Sequence, residues 1–120
     1  MRKELKLLHA TAQIIKPSQS AFNENCGELY KAIIKKIASD LNLNILKIAE
    51  HTFSPQGYTA VALLSESHMS FHTWPEKELI AFDIFTCGEM KIEKIKETLK
   101  NQLGSQNTKI ITNLCDRQTE

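Results

Sequence analysis

The residues able to do chemistry crowd into one stretch of this 120-residue chain, from Tyr58 to Gly88. It holds hydroxyls at Thr59, Ser65, Ser67 and Ser70, imidazoles at His68 and His72, an indole at Trp74, a carboxylate at Asp83 and a thiol at Cys87. Side chains two apart on a β-strand share a face. That rule groups Thr59 with Val61 and Leu63, and with Ser65 and Ser67 if the strand stays regular. It groups His68 with Ser70, His72 and Trp74, and Asp83 with Phe85 and Cys87. Should these faces coincide, nucleophile, base and acid types meet on one patch. Burying them for stability alone is costly, because each polar group then needs a partner.

Plainer readings exist for each residue taken singly. Ser65-Glu66-Ser67 can be an ordinary turn, His72 a hydrogen-bonded structural histidine, Cys87 a small core hydrophobe and Trp74 a packing residue. His68 and His72 face the same way, but no third ligand sits at a zinc-like spacing. A hydrolase built from Ser67, His72 and Asp83 would lack the Gly-x-Ser-x-Gly elbow.

The elements that must position these residues are legible from periodicity. Leu5 to Ile15 reads as a strand closed by Lys16-Pro17-Ser18. A helical repeat follows, with Cys26, Leu29, Tyr30, Ile33, Ile37, Ala38 and Leu41 near one face and Asn23 or Asn25 as its cap. Asn44 to Phe53 is a second strand, ended by the turn Ser54-Pro55-Gln56-Gly57. Strands at Tyr58–Leu64, His68–Trp74 and Leu79–Cys87 come next. A second amphipathic helix spans about Glu89 to Leu103, with Ile92, Ile95 and Leu99 on one side and Gly104 as its stop. Lys109 to Leu114 is the last strand. The order predicts an α+β domain: a mostly antiparallel β-sheet with two helices packed on one face. The other face then needs a cover, and a second copy of the chain is the natural one.

Bulk properties narrow the function. The length suits one domain. Fifteen basic residues oppose fourteen acidic ones, with no basic stripe for nucleic acid. The charged start leaves no apolar signal core, and no run approaches a membrane span, so a cytoplasmic protein is expected. Cys26, Cys87 and Cys115 are odd in number and fit reduced thiols.

The whole string SESHMSFHTWPEKELIAFDIFTCGE resembles the active-site region of the bacterial and archaeal S-adenosylmethionine decarboxylases, and the likeness extends weakly back through HTFSPQGYT. The resemblance implies an α/β sandwich, made as a proenzyme that cuts itself between Glu66 and Ser67 into residues 1–66 and 67–120. Ser67 becomes a pyruvoyl cofactor, whose carbonyl forms a Schiff base with the substrate amine and serves as electron sink. His72 takes the Ser67 α-proton during processing, Thr59 supports that step, and Cys87 is the proton donor in catalysis. Phe53 stacks on the adenine and Glu76 binds the ribose hydroxyls of S-adenosylmethionine. The resemblance also implies a homodimer with Ser67 and Cys87 from one chain and Phe53, Thr59, His72 and Glu76 from its partner, and no metal. A strained turn at Glu66-Ser67 would favour the acyl shift. Two departures stand out: Thr59 occupies the place of a serine, and LKLLHATAQII is a poor match to the opening strand. Two alternatives accompany this reading: a pyruvoyl decarboxylase of arginine or ornithine, and an unprocessed regulatory paralogue.

Overall fold

Alternation along the strands decides the architecture. The computed structural model describes residues 6–87 and 91–118. Its strands are β1 (Lys6–Ile15), β2 (Ile45–Thr52), β3 (Tyr58–Leu64), β4 (Ser67–Trp74), β5 (Leu79–Cys87) and β6 (Lys109–Gln118). Helix α1 (Cys26–Asp40) follows β1, and α2 (Ile92–Leu103) precedes β6. The strands form one six-stranded sheet in the order β2-β3-β4-β5-β1-β6, and every neighbouring pair is antiparallel. This is the α+β architecture that the element order predicts.

One face of the sheet is apolar and covered. Leu8, Ala10, Ala12 and Ile14 of β1, Tyr58, Ala60, Ala62 and Leu64 of β3, and Ile80, Phe82 and Ile84 of β5 are all buried. Met69 and Phe71 of β4 complete it. Against this face α1 lays Tyr30, Ile33, Ile34 and Ile37, and α2 lays Ile95, Leu99 and Leu103. The apolar side chains of both helices recur at the spacing of one helical stripe, and burying that stripe is what holds short helices in place.

The helix ends differ from expectation. Asn25 occupies the first cap position, but its side chain makes no capping bond. Gly104 does stop α2, yet its φ of −89° is extended, not left-handed. Its lack of a side chain serves a close approach: a Cβ there would lie 2.5 Å from the Lys100 carbonyl oxygen. The expected first turn of α2 at Glu89 and Met90 lies outside the described residues. β6 runs on past Leu114 to Gln118, paired throughout with β1.

A polar brace ties α1 to the sheet. Tyr30 and Tyr58 stack with centroids 5.0 Å apart, and the Tyr30 hydroxyl donates to the Ala21 carbonyl. The Tyr58 hydroxyl donates to Glu50 Oε1 at 2.7 Å, and Lys31 donates to Glu50 Oε2 at 3.0 Å. These two donors, Tyr58 first, hold the Glu50 carboxyl below its usual range. A carboxylate so held stabilises the fold above its unfolded pKa, and that contribution is lost as the pH falls through the folded pKa. Tyr58→Phe should therefore cost about 1 kcal/mol near neutral pH. Urea unfolding of the two chains should show the difference shrinking as the pH falls through the depressed pKa of Glu50, below which the carboxyl is protonated in both.

Candidate active site

The open face of the sheet carries the polar residues, and its register brings together what periodicity could only group. Thr59 stands opposite His72, and Val61 opposite Ser70. Ser70 in turn faces Asp83, and His68 faces Phe85. Thr11 and His9 of β1 continue the rows beyond Asp83 and Phe85. The faces of β3, β4 and β5 therefore do coincide.

Ser67 does not join them. Ser65 and Glu66 form a two-residue turn, so Ser67 pairs with Leu64. Antiparallel partners share a face, and Leu64 is buried under the helices. Ser67 is thus in phase with Met69 and Phe71, on the opposite side from His72. The regular-strand assumption fails because the chain reverses at Ser65-Glu66. Among the described residues, Ser67 Oγ is the one buried side-chain oxygen or nitrogen with no hydrogen-bond partner. Leaving a buried hydroxyl unpaired costs about 1–3 kcal/mol, and an unsatisfied group of this kind points to a functional role. The expected strained turn at Glu66-Ser67 uses no left-handed residue, since neither Glu66 nor Ser67 has a positive φ. The turn is nonetheless tethered, by Ser65 N–H donating to the Asn44 carbonyl at 3.2 Å.

Cys87 lies at the same end of the sheet. Its Sγ is 3.5 Å from Glu66 Oε1, within reach of an S–H hydrogen bond. Burial, and then the Glu66 carboxylate, push the Cys87 thiol up from its ordinary value. The thiol form therefore dominates at neutral pH, as a proton donor requires.

His72 sits at the other end of β4. The Thr59 hydroxyl donates to the Phe71 carbonyl at 3.2 Å and is also hydrogen bonded to His72 Nδ1. A hydroxyl has one proton, so when Thr59 donates to Phe71 it is Nδ1–H that donates to Thr59. That arrangement puts the proton on Nδ1 and the ring lone pair on Nε2. Threonine in place of serine keeps this bond. Phe53, Gln56, Thr59, His72, Trp74 and Glu76 line a cleft of about 560 Å³ beside it. Phe53 and Trp74 are 49% and 40% exposed there, so neither is core packing. The Gln56 amide reaches Glu76 Oε1 at 3.4 Å and links the two loops that form the rim.

The candidate residues thus fall into two sets, Ser67 and Cys87 at one end and Phe53, Thr59, His72 and Glu76 at the other. Five steps of β4 part Ser67 from His72, roughly 17 Å at about 3.3 Å per residue. The hydrolase arrangement is overturned as well. Asp83 accepts from Ser70 Oγ and from His9 Nε2, the latter at 2.8 Å, and touches neither Ser67 nor His72. His9 and Gln56 are site-forming residues that sequence reasoning passed over, and Trp74, which read singly as packing, lines the cleft instead. His9 sits in the strand that fits the expected pattern worst, and it reaches Asp83 diagonally, since the register sets it opposite Phe85. No group of three metal-ligating side chains occurs among the described residues.

The fold and this site define a class: an α+β domain with an orphaned serine hydroxyl after a hairpin turn, a thiol beside that turn and a hydrogen-bonded histidine on the uncovered face. The family model described as S-adenosylmethionine decarboxylase matches residues 9–114, and the chain belongs to that family. It is 42% identical over 78 residues to the S-adenosylmethionine decarboxylase proenzyme of Prochlorococcus marinus, a match spanning 64% of this chain. It is 60% identical over 45 residues to the proenzyme of Methanococcus maripaludis strain C5, covering 38% of this chain and 37% of the relative. Matches to the first three relatives, all cyanobacterial proenzymes, span 60–62% of their length. The crystal structure of the adenosylmethionine decarboxylase from Aquifex aeolicus superposes with a TM-score of 0.72 at 26% identity, covering 93% of this chain and 91% of that one.

The His72 assignment can be tested by nitrogen-15 NMR of the ring. The unmodified chain should show the Nδ1–H tautomer at neutral pH. Thr59→Val, which removes the acceptor, should move the population toward Nε2–H, and Thr59→Ser should restore it.

Proposed function

We propose that this chain is a self-processing, pyruvoyl-dependent decarboxylase of S-adenosylmethionine, working as a homodimer in the cytoplasm. The observation that carries the reading is the buried, unpartnered Ser67 hydroxyl at the Ser65-Glu66 turn. A nucleophile with no hydrogen bond to give up is free to attack the neighbouring carbonyl. Ser67 Oγ attacks the Glu66 carbonyl carbon, the Glu66–Ser67 C–N bond breaks, and an ester and a free amine result. A histidine base then removes the Ser67 α-proton, and the Ser67 Cβ–O bond breaks to release Glu66 as a carboxylate. The dehydroalanine left at Ser67 takes up water and loses ammonia to become the pyruvoyl group. The products are fragments 1–66 and 67–120, which the β3–β4 pairing keeps together.

Within one chain His72 is too far from Ser67 to be that base, and it lies on the other face. A second copy packed on the open face removes the distance, because an antiparallel arrangement brings the His72 end of one sheet to the Ser67 end of the other, and the base has to reach only the Ser67 α-proton on the backbone, not its Oγ. Val61 and Leu63 on that face are 42% and 52% exposed, apolar area that a partner would bury. The free cysteines at Cys26, Cys87 and Cys115 suit a reducing compartment.

The pyruvoyl carbonyl supplies the electron sink that decarboxylation of an amino acid needs. The residues of the chain do the rest. Phe53 offers an aromatic face to the adenine and to the positive sulfonium, and Glu76 accepts hydrogen bonds from the ribose hydroxyls. Cys87 returns a proton to the substrate carbon after carbon dioxide leaves. Arginine and ornithine have no flat apolar ring for the cleft between Phe53 and Trp74, which favours the nucleoside substrate. The product is decarboxylated S-adenosylmethionine, the aminopropyl donor for spermidine synthesis.

Intact mass under denaturing conditions tests processing and the shared site together. The unmodified chain should give two fragments, the second carrying pyruvate in place of serine. Ser67→Ala and His72→Ala should each stay whole when made alone. Made together, they should yield cleavage of the His72→Ala chains only, since these keep Ser67 and borrow the other chain's histidine. Cleavage of His72→Ala alone would remove the histidine from the mechanism. Carbon dioxide release from S-adenosylmethionine, and not from arginine or ornithine, checks the substrate.

A further inference from the structure

We propose that Glu66 is a positioning residue for Cys87: its side-chain carboxylate accepts the thiol hydrogen bond and fixes the S–H on the open face. The inference rests on the reading of Cys87 as proton donor and gives the residue before the cut a second task.

The geometry is direct. Glu66 Oε1 lies 3.5 Å from Cys87 Sγ, joining the β3–β4 turn to the end of β5. Nothing else in the fold explains that contact. Glu66 is exposed, and its side chain makes no other hydrogen bond among the described residues. Cutting the chain after Glu66 need not release it. Leu64 remains paired with Ile45 of β2, and Ser65 N–H remains bonded to the Asn44 carbonyl. The ester elimination leaves a second carboxylate on Glu66, its own α-carboxylate. Two negative groups then stand near one thiol, and both oppose its ionisation. The S–H proton passes to the substrate carbon, and the thiolate recovers a proton from water. Maturation would thereby tune the donor in the same step that makes the cofactor.

Among the described residues, the other titratable groups near Cys87 do not account for the effect. On its own face, one residue pair further along, stand His68 of β4 and His9 of β1, flanking Phe85. His9 is engaged with Asp83. As cations, both histidines would favour the thiolate, the opposite of what burial and Glu66 do at Cys87.

The test begins in the uncut Ser67→Ala chain, where the contact does not depend on processing. Alkylation of Cys87 by iodoacetamide is followed against pH and separated from Cys26 and Cys115 by peptide mass. Adding Glu66→Gln should lower the pH midpoint, and adding Glu66→Asp should recover part of that shift. A midpoint unmoved by Glu66→Gln would overturn the proposal. In processed enzyme, normalised to pyruvoyl content, Glu66→Gln should move the alkaline limb of kcat down by a similar amount. A limb that stays put would overturn the role in the mature enzyme. Failure of the unmodified chain to release carbon dioxide would instead overturn the decarboxylase reading and, with it, Cys87 as donor. The midpoint shift tells these two failures apart.

Discussion

A β-strand presents its side chains alternately to two faces, and here only one face is covered by helices. That single constraint organises the molecule. Ile80, Phe82 and Ile84 are buried because they share a face of β5, while Asp83 and Cys87 are turned out because they fall between and beyond them. The same alternation in β3 and β4 turns Thr59, Ser70 and His72 outward. Polar groups that would each need a partner inside the core are carried instead on the side that stays open, with Asp83 satisfied by His9 and Ser70.

The two-residue turn at Ser65-Glu66 makes the exception. A turn of even length pairs Leu64 with Ser67 and so passes the buried phase from one strand to the next. It places a hydroxyl where the core gives it nothing to bond, while the preceding Glu66 reaches around to Cys87. A hydroxyl that is both buried and free is a poor choice for stability and a suitable one for attack on its own backbone. The small cost of an unpaired group is one a domain with a large apolar face can carry.

The distribution of the site along the sheet has its own logic. Ser67 and Cys87 at one end, and the Phe53–Glu76 cleft with His72 at the other, are separated by the length of β4. Strand rigidity makes that separation fixed, since neither end can swing toward the other without breaking the ladder with β3 and β5. On the proposed function the pieces meet when a second sheet is laid against the first in the opposite sense. The exposed apolar side chains of the open face and the split site then answer one another.

Much of this was legible in the residues themselves. Binary patterning located the strands and helices, because a covered face demands apolar residues at period two in strands and near 3.6 in helices. The SESH, HTWPE and FTCG elements carried the family, since their chemistry depends on residue type and order. What patterning could not reach were relations between elements. The pairing of His9 with Asp83, the exposure of Trp74 in a cleft with Phe53 and Gln56, and the approach of Gly104 to Lys100 depend on register and packing. The side on which Ser67 falls, and so its freedom, depended on how many residues the chain uses to turn. Local sequence determined which faces are apolar and which residues can react. Tertiary structure decided which of those residues meet, because hydrogen-bond register between strands is settled by the whole sheet at once.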